Sequence, residues 1–303
     1  MKKKYKSNIS VHRYLYNFFV TKFGIFSSEK ILDNFLLNLF GVQILRIIIS
    51  KYFLKFRRLF ISSYNKNDND LNFYKKNGYL QIKNFLSKED FIYIKKDFDQ
   101  KSENFKSIND DKEQINIVNK YKFEIDKLSK IIKKISHDKR IKDLVEYSEG
   151  KKLHYSFSNK KKIFIWYEHI SSNNEHMQHK KKDLQTFLHR DTFHQTTKII
   201  FYLNDVDIES GPFMYSPGSH KLGIKKIISE YWNSVLNKDK CIRYKNNIFY
   251  EFFKSREIPL IGQANSLIIT NTNGFHRRSV FKKNSGRKTL RFSFRFNPFS
   301  LNV

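Results

Sequence analysis

The chain has 303 residues, of which 40% are hydrophobic, and it carries a formal net charge of +29 at pH 7. This length and apolar content exclude a disordered chain and allow one large β-rich domain with an appendage. The single cysteine, Cys241, excludes an intramolecular disulfide framework and favours a reducing, cytoplasmic compartment.

The first 66 residues form a basic segment with helical periodicity. Apolar residues recur every three or four positions between Ile31 and Phe56, which predicts amphipathic helices. The longest stretch without a charged residue runs from Asn34 to Leu45, which is much shorter than the roughly 20 residues that a membrane-spanning helix needs. We therefore predict a helical extension over residues 1–66.

Two arrangements of this extension remain open. In the favoured one, the apolar stripe packs against the rest of the protein, as in most amphipathic helices. In the alternative one, residues 31–58 lie on an anionic membrane surface as a peripheral contact. The cations that would then meet the lipid headgroups are Arg46, Lys51, Lys55, Arg57 and Arg58.

A second unit is predicted over residues 67–303, after a polar stretch with the composition of a linker. Its first part predicts a short helix over Leu71–Lys76, a strand over Tyr79–Lys83 and a helix that Ser87 caps. Helical spacing over Phe123–Tyr147 predicts one outer helix. From there on, the pattern is mainly β.

The stretch Phe187–His194 has the length of a strand and carries two candidate metal ligands. Because a strand repeats every two residues, His189 and Asp191 are expected to project from the same face. The best candidate for a third ligand is His276, which follows an apolar strand pattern. Two imidazoles and one carboxylate form the facial triad of non-haem Fe(II) oxygenases, which leaves coordination positions open for chemistry.

The run from Arg287 to Phe296 alternates polar and apolar residues and predicts the last strand. One face carries cations and the other face carries large apolar residues. This alternation suits a double-stranded β-helix, or jelly roll, whose polar interior holds a site while helices cover an outer sheet. The expected fold is mainly β with flanking helices. The polar face holds Arg287, Thr289, Arg291 and Ser293, and the apolar face holds Leu290, Phe292, Phe294 and Phe296.

These residues, in this order, resemble the phytanoyl-CoA dioxygenase family of Fe(II)- and 2-oxoglutarate-dependent oxygenases, over roughly residues 73–299. The resemblance rests on His189-x-Asp191, Gly211-Pro212-Phe213, the turn Pro217-Gly218-Ser219-His220, His276 and Arg287. It implies Fe(II) at His189, Asp191 and His276, with 2-oxoglutarate and O2 as cosubstrates and release of succinate and CO2. It also implies hydroxylation or a related oxidation, since related halogenases lack the carboxylate at the position of Asp191.

Arginine is the expected partner of the distal carboxylate of 2-oxoglutarate, because a guanidinium offers a bidentate fork. Arg287 is our choice and Arg291 is the second candidate. A further contact from an earlier strand is not assigned, although Trp166 and Tyr167 are conceivable. Position 278 is Arg where the family often has a small hydroxylated residue, so that contact does not carry over.

Other histidines are predicted to lie outside the metal site. His176 and His179 belong to a long loop before the metal motif, which we interpret as a substrate lid. His194 falls on the other face of the predicted strand. His220 lies in a turn, where a loop-holding hydrogen bond is the favoured role.

The substrate is predicted to be a small molecule, with an anionic or CoA-linked one favoured. Between His276 and Arg295 the chain has no acidic residue, and such a cationic mouth attracts anions. The cations are Arg277, Arg278, Lys282, Lys283, Arg287, Lys288, Arg291 and Arg295. The alternative function is a basic binding protein on the same barrel, without turnover, for nucleic acid or an anionic glycan. The oligomeric state is left open.

Overall fold

The computed structural model describes residues 35–61, 68–107, 116–124, 127–153, 163–172, 184–236, 248–282 and 285–301. The helices are α1 (Phe35–Leu39), α2 (Val42–Leu59), α3 (Asn69–Asn77), α4 (Lys88–Ser102), α5 (Lys130–Ser136), α6 (Lys139–Glu149), α7 (Ile224–Leu236) and α8 (Ile248–Lys254). The strands are β1 (Tyr79–Ile82), β2 (Lys106–Ser107), β3 (Asn116–Lys122), β4 (Ile163–Ser172), β5 (Thr197–Tyr202), β6 (Phe213–Tyr215), β7 (Ile258–Leu260), β8 (Leu267–Asn271), β9 (His276–Arg278) and β10 (Gly286–Phe294).

Two antiparallel sheets form the core of the described chain. The larger sheet has the strand order β1-β8-β5-β10-β4-β3-β2, and the smaller one has the order β7-β6-β9. Side chains of both sheets meet in one buried cluster, which joins Ile200 and Ile268 of the larger sheet to Phe213 and Leu260 of the smaller. The predicted double-stranded β-helix with flanking helices is therefore confirmed.

The outer side of the larger sheet is covered by helices. Ile94 of α4, Ile132 of α5 and Leu144 of α6 share a buried cluster with Phe201 and Phe292 of the sheet. Strand β10 alternates as the sequence predicts, since its Leu and Phe side chains enter this cluster. Its Arg and Ser side chains point to the opposite side, into the interior of the barrel.

Local sequence signals set the entry to the barrel. Asp68 caps α3 by accepting a hydrogen bond from the Leu71 amide at 3.0 Å. Gly78 ends the helix with φ 83°, and a Cβ there would lie 2.4 Å from both Tyr215 Oη and His220 Nδ1, so only glycine fits. Ser87 accepts from the Asp90 amide at 3.2 Å and begins α4, as predicted. These caps fix β1 against β8.

Two predicted elements differ from the structure. The single helix expected over Phe123–Tyr147 is two helices, α5 and α6. The break falls at Asp138, whose carboxylate accepts a hydrogen bond from the Arg140 amide at 2.9 Å and so caps the start of α6. The strand expected over Phe187–His194 is irregular, and only His189 forms a bridge, with His276. The predicted lid that holds His176 and His179 lies outside the described residues, as does Cys241.

The described part of the helical extension packs against the barrel, as the favoured arrangement predicts, but only part of the apolar stripe of α2 faces inward. This helix buries Gln43, Arg46, Ser50 and Arg57 together with Ile47 and Leu54. Its outer side exposes Leu45, Tyr52, Phe56 and Leu59. Helical periodicity predicts an apolar side of the helix, but it does not predict whether that side packs against the protein or is exposed.

Specific polar contacts hold α2 in this orientation. The Arg57 guanidinium donates to the carbonyl oxygens of Glu149, Gly150, Pro298 and Ser300, at 2.6 to 3.1 Å. The Arg46 guanidinium lies 4.1 Å from the centre of the Phe193 ring. The Arg58 guanidinium donates to the Tyr147 carbonyl at 2.7 Å, so three of the five cations assigned to lipid headgroups are engaged with the protein. None of the described helices is long and apolar enough to cross a membrane.

Candidate active site

The three predicted metal ligands come together at one end of the barrel. The His189 amide donates to the His276 carbonyl at 2.9 Å, and the His276 amide donates back to His189 at 2.8 Å. The Asp191 amide donates to the Thr272 carbonyl at 2.9 Å. These backbone bonds attach the irregular stretch to the edge of the smaller sheet and to the end of β8, so the two-residue spacing still brings His189 and Asp191 to one side.

The distances between the ligand atoms fit a single cation. His276 Nε2 lies 3.3 Å from Asp191 Oδ1, and His189 Nε2 lies 4.0 Å from the same oxygen. One ligand atom from each of the three residues falls within 4.8 Å of the other two. His276 Nε2 is buried and makes no hydrogen bond among the described residues. An orphaned imidazole nitrogen beside a carboxylate fits a divalent metal with N and O ligands.

Backbone carbonyls fix the tautomer of both histidines. His189 Nδ1–H donates to the Phe187 carbonyl at 2.8 Å, and His276 Nδ1–H donates to the Gly274 carbonyl at 2.9 Å. Because a carbonyl oxygen can only accept, each ring carries its proton on Nδ1 and directs the Nε2 lone pair into the site. Phe213 stacks on the His276 ring at 4.9 Å and limits its rotation.

The electrostatics keep His189 and Asp191 in the protonation states that bind metal. Burial, and next the neighbouring His276, lower the pKa of His189 to about 3. Burial alone would raise the pKa of Asp191, but Lys198 and His276 outweigh it and hold that pKa well below its usual range. At neutral pH the site therefore offers a neutral His189 imidazole and an ionised carboxylate.

Lys198 was missed by the sequence reasoning. Its Nζ lies 2.7 Å from Asp191 Oδ2, and both side chains are almost buried. Burial lowers the pKa of Lys198 to about 8, although Asp191 opposes that shift. The sequence did contain a signal, because Lys198 begins the otherwise apolar run Lys-Ile-Ile-Phe-Tyr of β5. A lysine in a buried strand is rarely unpaired, so a carboxylate partner could have been expected.

A cavity of about 430 Å³ adjoins the three ligands and is strongly cationic. Among the described residues, seven lining side chains are Lys or Arg and two are carboxylates, Glu168 and Asp191. The cations are Lys120, Lys198, Arg277, Arg278, Arg287, Arg291 and Arg295. The sequence anticipated five of them. Lys282 and Lys288 point elsewhere, to Glu209 and Asp99, and Lys283 lies outside the described residues.

Arg287 and Arg291 both line this cavity but differ in their partners. Arg291 Nη1 pairs with the buried Glu168 carboxylate. Arg287 Nη1 donates to the Gly211 carbonyl at 2.7 Å rather than to a carboxylate. The Nε of each of the two guanidiniums has no hydrogen-bond partner among the described residues. Burial lowers the pKa of Arg287 to about 10, which leaves it charged at neutral pH. Arg287 therefore has donor capacity available for an anion.

Glu168 organises the cationic wall and was also missed. Burial alone would raise its pKa, but Arg291, Lys120 and Arg287 outweigh burial and lower the pKa below its usual range. Lys120 Nζ lies 3.5 Å from its Oε2. Of the two aromatic neighbours considered for a cosubstrate contact, Trp166 lines the cavity. Tyr167 points into the outer core, where its hydroxyl donates to Asp97 at 2.6 Å, so that option is wrong.

His194 and His220 lie away from the triad, as predicted. His194 is buried and its Nδ1–H donates to the Gln195 carbonyl at 3.0 Å. His220 Nε2–H donates to the Lys75 carbonyl at 3.2 Å and so holds the turn against the end of α3. Burial lowers the pKa of each ring to about 3.

These buried rings predict a loss of stability in acid. The folded protein keeps them neutral below pH 6.5, whereas the unfolded chain protonates them, so the free energy of unfolding should fall as the pH drops from about 6.5 towards 3. Each histidine contributes a slope of at most about 1.4 kcal/mol per pH unit. Urea titrations at pH 7 and pH 5 measure this, and His194→Asn should reduce the slope. The exposed His137→Asn is the control, and equal slopes in all three proteins would contradict the assignment.

Comparison with known proteins places the chain in one family. A sequence model described as phytanoyl-CoA dioxygenase matches residues 74–231, which is more than half of the chain. That range contains His189 and Asp191 and ends before His276 and Arg287. A search of curated protein sequences found no significant match.

Three solved structures are among those similar to this chain. The non-heme alpha-ketoglutarate-dependent carbocyclase SnoK from nogalamycin biosynthesis is 14% identical, with a TM-score of 0.48 over 78% of this chain and 86% of that one. HygX from Streptomyces hygroscopicus, with nickel and 2-oxoglutarate bound, is 12% identical, with a TM-score of 0.47 over 77% and 88%. A prolyl-4-hydroxylase from Pseudomonas putida is 10% identical, with a TM-score of 0.46 over 75% and 96%. Likenesses this distant carry no argument about the substrate.

Proposed function

The chain belongs to the phytanoyl-CoA dioxygenase family, and we propose that it hydroxylates a C–H bond of an anionic small molecule. It is a 2-oxoglutarate-dependent dioxygenase that uses Fe(II) and O2, with succinate and CO2 as the coproducts. When bound, the metal and 2-oxoglutarate supply the oxidant for an unactivated C–H bond, while the protein supplies geometry and excludes water. The catalytic domain is proposed to span residues 67–303 and the extension residues 1–66, with a boundary that falls outside the described residues.

His189, Asp191 and His276 are proposed to hold the iron. Support comes from the convergence of their ligand atoms within 4.8 Å and from the two backbone carbonyls that fix the histidine tautomers. Lys198 is proposed to orient the Asp191 carboxylate through its 2.7 Å contact with Oδ2, which leaves Oδ1 directed at the two imidazoles.

Arg287 is proposed to bind the distal carboxylate of 2-oxoglutarate. Its Nε is buried without a partner among the described residues, so a carboxylate would satisfy it. Arg291 is kept as the second candidate, but its pairing with Glu168 favours a structural role. The excess of Lys and Arg over carboxylates around the cavity would also stabilise a carboxylate bound at Arg287.

The anionic character of the substrate rests on one observation, the surplus of cations in the cavity. Fe(II) and 2-oxoglutarate carry opposite double charges, so their binding leaves that surplus unchanged. Arg277 is compensated by Glu257, whose Oε2 lies 2.8 Å from its Nε. Four further cations, Lys120, Lys198, Arg287 and Arg291, face the two carboxylates Glu168 and Asp191. Such a wall attracts a carboxylated, phosphorylated or CoA-linked molecule.

Enzyme activity can be tested separately from the choice of substrate. Anaerobic addition of Fe(II) and 2-oxoglutarate should give the weak visible charge-transfer band of the chelate. A cell extract should then be separated on an anion-exchange resin into a retained and an unretained fraction. Succinate formation should be measured with each fraction as the source of substrate. We expect the retained, anionic fraction to raise succinate formation above the substrate-free rate. Stimulation by the unretained fraction alone would refute the anionic substrate and leave the enzyme class intact.

A charge substitution at the cavity should weaken the response to that anionic fraction. Arg295 lines the cavity at the end of β10, and its charge acts on both Asp191 and Lys198. We expect Arg295→Gln to reduce the stimulated rate about 10-fold at low ionic strength and by less in high salt, because salt screens the attraction. Lys282→Gln is the control, since Lys282 is exposed and pairs with Glu209. Equal effects of the two substitutions would contradict the prediction.

A further inference from the structure

Two neighbouring helices of this protein bury polar residues and expose large apolar ones. Helix α2 buries Gln43, Arg46, Ser50 and Arg57 together with Ile47 and Leu54, and its outer side exposes large apolar residues, with Leu59 79% exposed. The bonds from Arg57 to four backbone carbonyls oppose any rotation that would bury the apolar side instead. The exposed apolar face is therefore a built feature of the fold.

Helix α7 likewise buries polar residues and exposes apolar ones. It buries Lys226, Ser229, Glu230 and Ser234. Lys226 Nζ donates to the carbonyls of Ser219 and Asn273 at 2.8 and 2.6 Å, and Glu230 pairs with the buried Arg190. Its exposed side carries Ile224, Ile228, Trp232 and Leu236, which are four residues apart and so form one stripe.

The two helices belong to one surface region. Tyr231 Oη–H of α7 donates to the Leu39 carbonyl of α1 at 2.9 Å, and α1 leads directly into α2. The exposed large apolar residues of this region are Phe35, Leu36, Leu39, Phe40, Leu45, Tyr52, Phe56, Leu59, Phe60, Ile224, Ile228, Trp232 and Leu236. We call this region the apolar helical face. Monomeric soluble proteins rarely expose so many large apolar side chains on adjoining helices.

The charge of this face indicates what covers it. The sequence has no Asp or Glu between Phe35 and Ile61, and the one acidic residue of α7, Glu230, is buried. Lys55 is exposed among the apolar positions of α2, and Lys51 is exposed at the border of this face, where it lines a cavity with Ser50 and Arg57. Two copies joined through this face would bring lysines together with no acidic partner, whereas anionic lipid headgroups would complement them. Exposed Trp and Tyr side chains also suit a membrane–water interface.

We propose that the apolar helical face docks the protein peripherally on a bilayer that contains anionic lipids. The apolar side chains enter the headgroup and upper acyl region, while Lys51 and Lys55 contact the lipid phosphates. Arg46, Arg57 and Arg58 take no part, because their side chains are engaged in contacts within the protein. This docking is independent of the reaction and places the barrel at a membrane surface.

Flotation of the full-length protein with vesicles tests the proposal. Wild-type protein should float with vesicles of phosphatidylglycerol and phosphatidylcholine, bind phosphatidylcholine vesicles more weakly, and lose binding as salt rises. The double variant Lys55→Glu with Phe56→Glu should bind at least about 10-fold more weakly. The matched control is Ile92→Glu with Lys96→Glu, which places the same charges on the exposed side of α4. Succinate formation checks that each variant is folded.

Trp232 gives a second, local readout. The protein has two tryptophans, and Trp166→Phe leaves Trp232 as the single emitter. Its emission should shift to shorter wavelength with anionic vesicles and be quenched by brominated lipids. No flotation of the wild type, or equal loss in both double variants, overturns the proposal. A stable dimer that Phe56→Glu dissociates, without vesicle binding, also overturns it and assigns the face to a second copy.

Discussion

Asp191→Ala is expected to abolish 2-oxoglutarate turnover. The substitution removes the carboxylate among three proposed ligands and leaves two imidazoles, which hold Fe(II) more weakly than the full triad. Loss of residues that merely orient ligands costs 10- to 100-fold, so loss of a ligand should lower succinate formation by more than about 100-fold. The measurement is succinate formation at saturating 2-oxoglutarate, with iron content determined in parallel.

The control for Asp191→Ala should remove a polar side chain close to Asp191 in sequence that is not one of the three proposed ligands. His194→Asn does this, because His194 lies three residues on, is buried, and is held by the Gln195 carbonyl rather than by the triad. It should retain most of the activity. Thermal melts of both metal-free variants exclude unfolding as the cause. Undiminished succinate formation in Asp191→Ala, or an equal loss in the two variants, would refute the metal assignment.

The metal site could be predicted because its candidate ligands lie in short sequence motifs that occur in a characteristic order. The two-residue spacing of His189 and Asp191 brings them to one side even though the backbone there is irregular. The alternation of β10 correctly separated the cavity face from the core face, because a sheet with one buried side enforces that period. Arg287 could thus be assigned to the interior from sequence alone.

Other features of the site depend on tertiary contacts that no local pattern encodes. Glu168 lies on β4, and its partners Lys120 and Arg291 lie on β3 and β10, so the network exists only once the strands pair. The side of α2 that faces the barrel was predicted only in part, for the same reason. Its burial is decided by carbonyls of residues 149, 150, 298 and 300, which are remote in sequence.

Arg287→Lys is expected to weaken 2-oxoglutarate binding while leaving iron binding unchanged. Lysine keeps the charge but loses the planar fork and the Nε donor that is buried without a partner among the described residues. A hydrogen bond to a charged group contributes about 1.5–3 kcal/mol, so the dissociation constant should rise about 10- to 100-fold. Anaerobic titration of the Fe(II) protein with 2-oxoglutarate, followed by the charge-transfer band, measures this constant without a substrate.

Arg291→Lys is the matched control, because it lies four residues along the same strand and on the same face. Its Nη1 is already paired with Glu168, and a lysine could retain that pairing, so the dissociation constant should change little. The two variants therefore separate a guanidinium that binds the cosubstrate from one that balances a buried carboxylate. A large rise for Arg291→Lys with none for Arg287→Lys would transfer the cosubstrate role to Arg291. A rise in both would mean that the Glu168 network, and not a single fork, holds 2-oxoglutarate.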